Sequence, residues 1–129
     1  MPLSKKPKHI FEPTSLSCGQ AVLAMATDTD IEKIVSLCGT YAETDLKQMK
    51  NIFSRYGVLV AQSRISVKEK SELPKAALLS LETPKCWHWS LYIDGTFYDP
   101  EYGVLDDFPP SNRRYYWELS DISKVENFA

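Results

Sequence analysis

The stretch from Gly19 to Ala26, GQAVLAMA, has Gln20 as its one strongly polar residue. An apolar run of that kind, with no polar face, predicts a short helix buried on all sides. Beyond it the apolar positions separate into stripes. In TDTDIEKIVSLCG, Ile31, Ile34, Val35 and Cys38 fall at i, i+3, i+4 and i+7, which predicts a second helix. Thr29 with Glu32 predicts its capping box and Gly39 its C-terminal stop. Cys38 thus lies on the core face, where a free cysteine packs as a small hydrophobe. In TDLKQMKNIFSRYG the stripe is Leu46, Met49, Phe53 and Tyr56, with Thr44 as the expected cap and Gly57 as the stop.

After Gly57 the period shortens to two. Val58 to Ile65 and Ala76 to Leu81 read as strands, the second entered through Leu73-Pro74. Further on, HWSLYIDGTFYDP places two aromatic, β-branched runs on either side of Asp94-Gly95, the favoured pair for a type I′ hairpin turn. That turn fixes a register in which Ile93 faces Thr96 and Ser90 faces Asp99. His88 then lies diagonal to Asp99 on the same face. Helices followed by a sheet define an α+β layout, N-terminal helices packed on a C-terminal antiparallel sheet.

The chain has 129 residues, 43% of them hydrophobic and 25% charged. That length is enough for one core, so residues 12–129 are expected to form a single domain. Residues 1–11, with Lys5, Lys6 and Lys8 among two prolines, read as a flexible basic tail. A net charge of −2 gives no reason to expect nucleic acid or an anionic membrane as partner. No apolar run approaches the ~20 residues of a membrane span, and no apolar segment follows the N-terminal lysines as in a signal peptide. Three cysteines without C-x-x-C spacing argue against a disulfide framework and against zinc, and point to a reducing compartment: a cytoplasm, native or entered. Cys86 with His88 lacks further ligands nearby, so no metal and no cofactor is expected. RRYYWEL, Arg113 to Leu119, reads as a late strand with a solvated end rather than a nucleic-acid contact. The segments Ser66 to Glu72 and Pro109 to Arg114 read as exposed loops.

Candidate chemistry comes from three residues on the right elements. Cys18 precedes the buried helix, where a helix N-terminus favours a thiolate and where its own backbone N–H is a ready oxyanion donor. His88 is the candidate base and Asp99 the group that fixes its tautomer. Glu101 is the rival acid, although Pro100 should end the ladder before it pairs. Each residue has an ordinary alternative: a packing cysteine, a half-buried histidine, an aspartate that forms a turn before proline. Trp87 and Trp89 fall on the face opposite His88 and are expected in the core. The case for a site rests on the three occurring together.

In that order and spacing the chain resembles the papain-like cysteine peptidases, and within them the double-glycine (bacteriocin-leader) peptidases and their short stand-alone relatives. The resemblance runs from about Glu12 to Asp107. It is carried by SCGQAVLAM, TDLKQMKNIFSRYGV, ELPKAALLSL and HWSLYIDGTFYDPEYG. It implies a papain-like fold, Cys18 as nucleophile, His88 as base and Asp99 as orienting acid, acting on a peptide or protein substrate. The sequence departs from the family at Glu12, where such peptidases place a glutamine whose amide helps to bind the oxyanion. Either His9, Thr14 or Ser15 donates instead, or Glu12 is held protonated. Gln20, on the helix itself, is wrongly placed for that role.

Three classes of function follow. The first is a thiol hydrolase cleaving an amide through a thioester. The same triad also serves a glutamine deamidase or an acyl transferase, as an effector or toxin would use, with a larger parent protein or an inhibitor or immunity protein as partner. The second is a papain-like module that binds peptide with little catalysis, which the loss of the glutamine favours. A nuclease on the same scaffold is disfavoured by the charge.

Overall fold

The computed structural model describes residues 3–122. Three helices, α1 (Cys18–Thr27), α2 (Ile31–Cys38) and α3 (Leu46–Arg55), precede seven strands: β1 (Val58–Val60), β2 (Ile65–Ser66), β3 (Ala76–Glu82), β4 (Trp87–Ile93), β5 (Thr96–Asp99), β6 (Gly103–Leu105) and β7 (Arg114–Asp121). The strands form one antiparallel sheet in the order β1-β7-β3-β4-β5-β6, with β2 also paired to β7. The layout is the expected α+β fold, N-terminal helices packed on an antiparallel sheet.

Nine of the ten residues of α1, all but Thr27, are buried, as its unbroken apolar run requires. It packs with Ile34, Met49, Ile52 and Phe53 of the other helices onto one sheet face, against Leu78, Leu91, Ile93, Trp117 and Leu119. A second cluster, Ala77, Leu79, Leu81, Tyr92 and Phe97, covers the opposite face under Leu105 and Phe108. Cys38 is half-buried against the main core.

The Asp94-Gly95 turn forms as the sequence requires. Both residues have positive φ (45° and 90°), the pair of conformations a type I′ turn needs. The register follows, with Ile93↔Thr96, Tyr92↔Phe97 and Leu91↔Tyr98.

Both expected caps move by one residue. Asp30 caps α2, accepting from Glu32 N at 3.2 Å, because the Thr29 hydroxyl is already bonded to Thr27 at the end of α1. Asp45 caps α3 in a capping box with Gln48, because the Thr44 side chain is buried against Met49. The single strand expected over Val58 to Ile65 is two. From Val60 to Ile65 the chain takes five steps against three in β7, from Leu119 to Tyr116. The surplus forms a bend over residues 62–63.

Trp87 does not pack in the core. It is 47% exposed, stacked on Tyr115 at 6.0 Å with the Arg113 guanidinium 5.4 Å from its ring. Trp89, two residues along, is half-buried against Trp117 at 5.7 Å. The N-terminal segment is hydrogen-bonded to the body at Leu3 (to Asp121), Ser4 (to Ala26) and His9 (to Asp99).

Candidate active site

The start of α1 meets the start of β4, and here the structure brings Cys18, His88 and Asp99 together. Cys18 is the first residue of its helix, so its N–H has no acceptor within the helix. The N-cap residue, Ser17, makes no capping bond; its hydroxyl goes to Tyr41 O and Thr14 Oγ1 instead. The first-turn N–H groups therefore keep their donor capacity. The Cys18 sulfur accepts a hydrogen bond from Trp89 N at 3.4 Å and lines the same cleft as the His88 side chain, close enough to raise the His88 pKa.

His88 is buried, and its Nε2 lies 2.9 Å from Asp99 Oδ1. A carboxylate only accepts, so Nε2 carries the hydrogen and Nδ1 is the atom left for the thiol. Burial opposes protonation of this ring, but the bonds to Asp99 and Cys18 outweigh it and push the His88 pKa up to about 10. An imidazolium is the state of His88 that this balance favours.

Asp99 is completely buried. Its Oδ1 also accepts from Glu101 N and Tyr102 N, both at 2.9 Å, and its Oδ2 from Ser90 Oγ at 2.8 Å. Burial raises a carboxyl pKa, yet the His88 hydrogen bond and charge and the two N–H donors hold Asp99 below the usual carboxylate range. The turn-forming role and the histidine-holding role fall on the same carboxylate. Glu101, the rival acid, pairs instead with Lys85 at 2.8 Å.

The residues considered as extra oxyanion donors fare differently. His9 donates from Nε2 to Asp99 O at 2.7 Å. Thr14 bonds Ser17 and Tyr41, and Ser15 is exposed. Glu12 is anchored by its backbone N–H to Pro100 O at 2.9 Å, and its Oε1 stands 4.0 Å from His88 Nδ1. Burial raises the Glu12 pKa, as do the Glu101 and Asp99 charges; His88 and Lys85 only partly offset this. Gln20 is structural: its Nε2 donates to Thr40 O at 2.9 Å and Ala42 O at 2.8 Å, holding the segment before α3 onto α1. Trp89 Nε1 adds a bond to Thr44 O at 2.9 Å.

The hairpin register already sets Ser90 opposite Asp99, which is signal enough for the hydrogen bond Ser90 donates to the carboxylate. The contribution of Trp89 N had no signal, since it depends on how α1 seats on β4. A cleft of about 160 Å³ opens over the Cys18–His88 pair, with Glu43, Trp87 and Trp89 on its walls. Its size suits a side chain or a stretch of peptide rather than a large cofactor.

No protein-family model and no curated protein matches the sequence. Among solved structures, the chain is similar to a double glycine motif protease from an AMS/PCAT transporter, crystallised in complex with the leader peptide. The TM-score is 0.59 at 16% identity, over 88% of this chain and 93% of that one. At this identity the likeness is one of fold. Among the described residues no helix is long and apolar enough to cross a membrane.

Proposed function

We propose that this chain is a cysteine hydrolase that cleaves an amide in a peptide or protein. The buried run of contacts from Cys18 through His88 to Asp99, opening on a cleft, supports this most directly. The Cys18 thiolate attacks the carbonyl carbon and the carbonyl electron pair moves onto oxygen, toward the open N–H of Cys18. The leaving amine takes the proton from His88 as the C–N bond breaks. Water, deprotonated by His88, then hydrolyses the thioester. Asp99 keeps the imidazole in the tautomer and orientation these transfers require. The structurally similar protease was crystallised in complex with a leader peptide, which is consistent with a peptide substrate here. Deamidation of glutamine, or acyl transfer to an amine, uses the same steps with a different leaving or accepting group. Ionisation of Glu12 favours a second reading, a peptide-binding module with little turnover, because a carboxylate beside the site opposes an oxyanion.

Alkylation by iodoacetamide, read by mass spectrometry against pH, separates the two. An active site predicts that Cys18 labels at pH 6–7, well ahead of Cys38 and Cys86, and loses that lead in His88→Ala. If Cys18 labels no faster than the other two and ignores His88, the catalytic reading fails.

A further inference from the structure

Glu12 brings a buried, unpartnered carboxyl oxygen to the site. This oxygen, Oε1, has no hydrogen-bond partner among the described residues, a costly state for an ionised oxygen. The backbone fixes it there: Glu12 N is tied to Pro100 O and His9 to Asp99 O, three residues earlier. The nitrogen it approaches, His88 Nδ1, is the one left for Cys18 once Nε2 is bonded to Asp99. Glu12 therefore lies on the nucleophile's side of the imidazole.

The charged groups facing it are His88 from β4, Asp99 at the end of β5, Glu101 in the following turn and Lys85 in the turn before β4. Lys85 is already paired with Glu101. Burial and the two acids, opposed by His88, shift Glu12 toward the neutral carboxylic acid, and only that form carries an O–H.

We propose that protonated Glu12 is a catalytic hydrogen-bond donor to the oxyanion, and that its ionisation switches acyl transfer off. This rests on the thiol-hydrolase reading. When the Cys18 sulfur bonds to the carbonyl carbon, the displaced electron pair makes the oxygen negative, and the Glu12 O–H donates to it beside the Cys18 N–H. When the tetrahedral species collapses, the pair returns, the leaving group departs with the His88 proton, and Glu12 keeps its own. An ionised Glu12 removes that donor and sets a second negative charge next to the oxyanion. The enzyme so built acts on acyl donors while Glu12 stays protonated and idles once pH rises past the Glu12 titration.

The test compares two reactions at the same sulfur in wild type, Glu12→Gln and Glu12→Ala, from pH 4 to 9. Acylation by p-nitrophenyl acetate, read as the burst of p-nitrophenol, passes through an oxyanion. Alkylation by iodoacetamide does not, so the ratio of the two rates isolates oxyanion stabilisation from thiolate formation. In wild type the ratio should fall as pH rises. Glu12→Gln, whose amide donates at every pH, should hold it flat and exceed wild type at pH 8 by roughly 10²–10³-fold. Glu12→Ala should be low throughout. Parallel profiles in wild type and Glu12→Gln, with His88-dependent alkylation intact, overturn the role of Glu12 alone. Loss of His88-dependent alkylation in wild type overturns the hydrolase reading and this proposal together.

Discussion

Four donors converge on the Asp99 carboxylate, and they belong to two structures at once. Glu101 N and Tyr102 N close the turn into β6, while His88 Nε2 and Ser90 Oγ come from β4. Removing the carboxylate therefore loosens the turn and the imidazole together. Asp99→Ala should lose about 2–4 kcal/mol of unfolding free energy in urea, since it strands several buried donors. Asp99→Asn keeps an acceptor oxygen and should cost less, yet it should still slow Cys18 alkylation at pH 7 because the imidazolium loses its charge partner. The pH dependence of stability follows with opposite signs. The folded pKa of Asp99 is lowered, so its contribution is present above the ordinary aspartate value of 3.8 and is lost as pH falls through the depressed one. That of His88 is raised to about 10, so its contribution is complete below 6.5 and disappears as pH climbs toward 10. Urea midpoints should thus show this pair stabilising most between about pH 4 and 6.5, and Asp99→Asn should flatten the acid limb. The raised Glu12 works the other way at neutral pH: its contribution is present below 4.5 and lost as pH rises through the folded value. Glu12→Gln should accordingly be more stable than wild type at pH 8 and little changed at pH 4.

At the scale of elements, the Cys-Gly pair at the head of α1 has a packing reason as well as a chemical one. A Cβ on Gly19 would lie 1.9 Å from Thr44 Oγ1 and 3.0 Å from Met49 Sδ. The segment that forms one wall of the cleft thus rests directly on the nucleophile's helix, held by Gln20 and Ser17 on one side and Trp89 on the other. Gly19→Ala must push Thr44 outward and is expected to cost about 1–3 kcal/mol, with a slower Cys18 alkylation at unchanged Cys38 and Cys86 rates. A variant as stable and as reactive as wild type would show that the wall yields freely. Much of this level was legible from the chain. The helix stripes and the Asp94-Gly95 turn are local signals, and the hairpin register carried His88 onto the face of Asp99. What was illegible depended on partners distant in sequence. The two caps moved because Thr29 and Thr44 were drawn into contacts with α1 and Met49, and β1 broke from β2 because β7 had two residues fewer to offer. Trp87 was misplaced because alternation assigns a face without telling how far the helix layer covers it.

The whole molecule gathers the site from five separate stretches: the N-terminal segment, α1, the wall before α3, the start of β4 and the turn after β5. The N-terminal segment is the longest-reaching of these. Its backbone bonds Asp121 on β7 through Leu3 and the end of α1 through Ser4, then reaches the β5–β6 turn through His9 and Glu12. It is thereby a strap across the fold, joining the far edge of the helix layer to the residue that holds His88. The physics of a strap separates its two ends. Losing residues 1–8 removes the bonds to Asp121 and Ala26 but leaves His9 on Asp99 O and Glu12 on Pro100 O. That truncation should lower the urea midpoint, by an amount worth about 1–2 kcal/mol for two hydrogen bonds, while Cys18 alkylation at pH 7 stays within about twofold of wild type. Extending the deletion through Glu12 also strips the turn of its two remaining partners. Amide hydrogen exchange should then rise at Glu101 and Tyr102, whose N–H groups report on the Asp99 carboxylate, and alkylation should fall with it. Equal exchange in both truncations would show that the turn needs only Asp99 itself, and that the strap contributes stability without ordering the site.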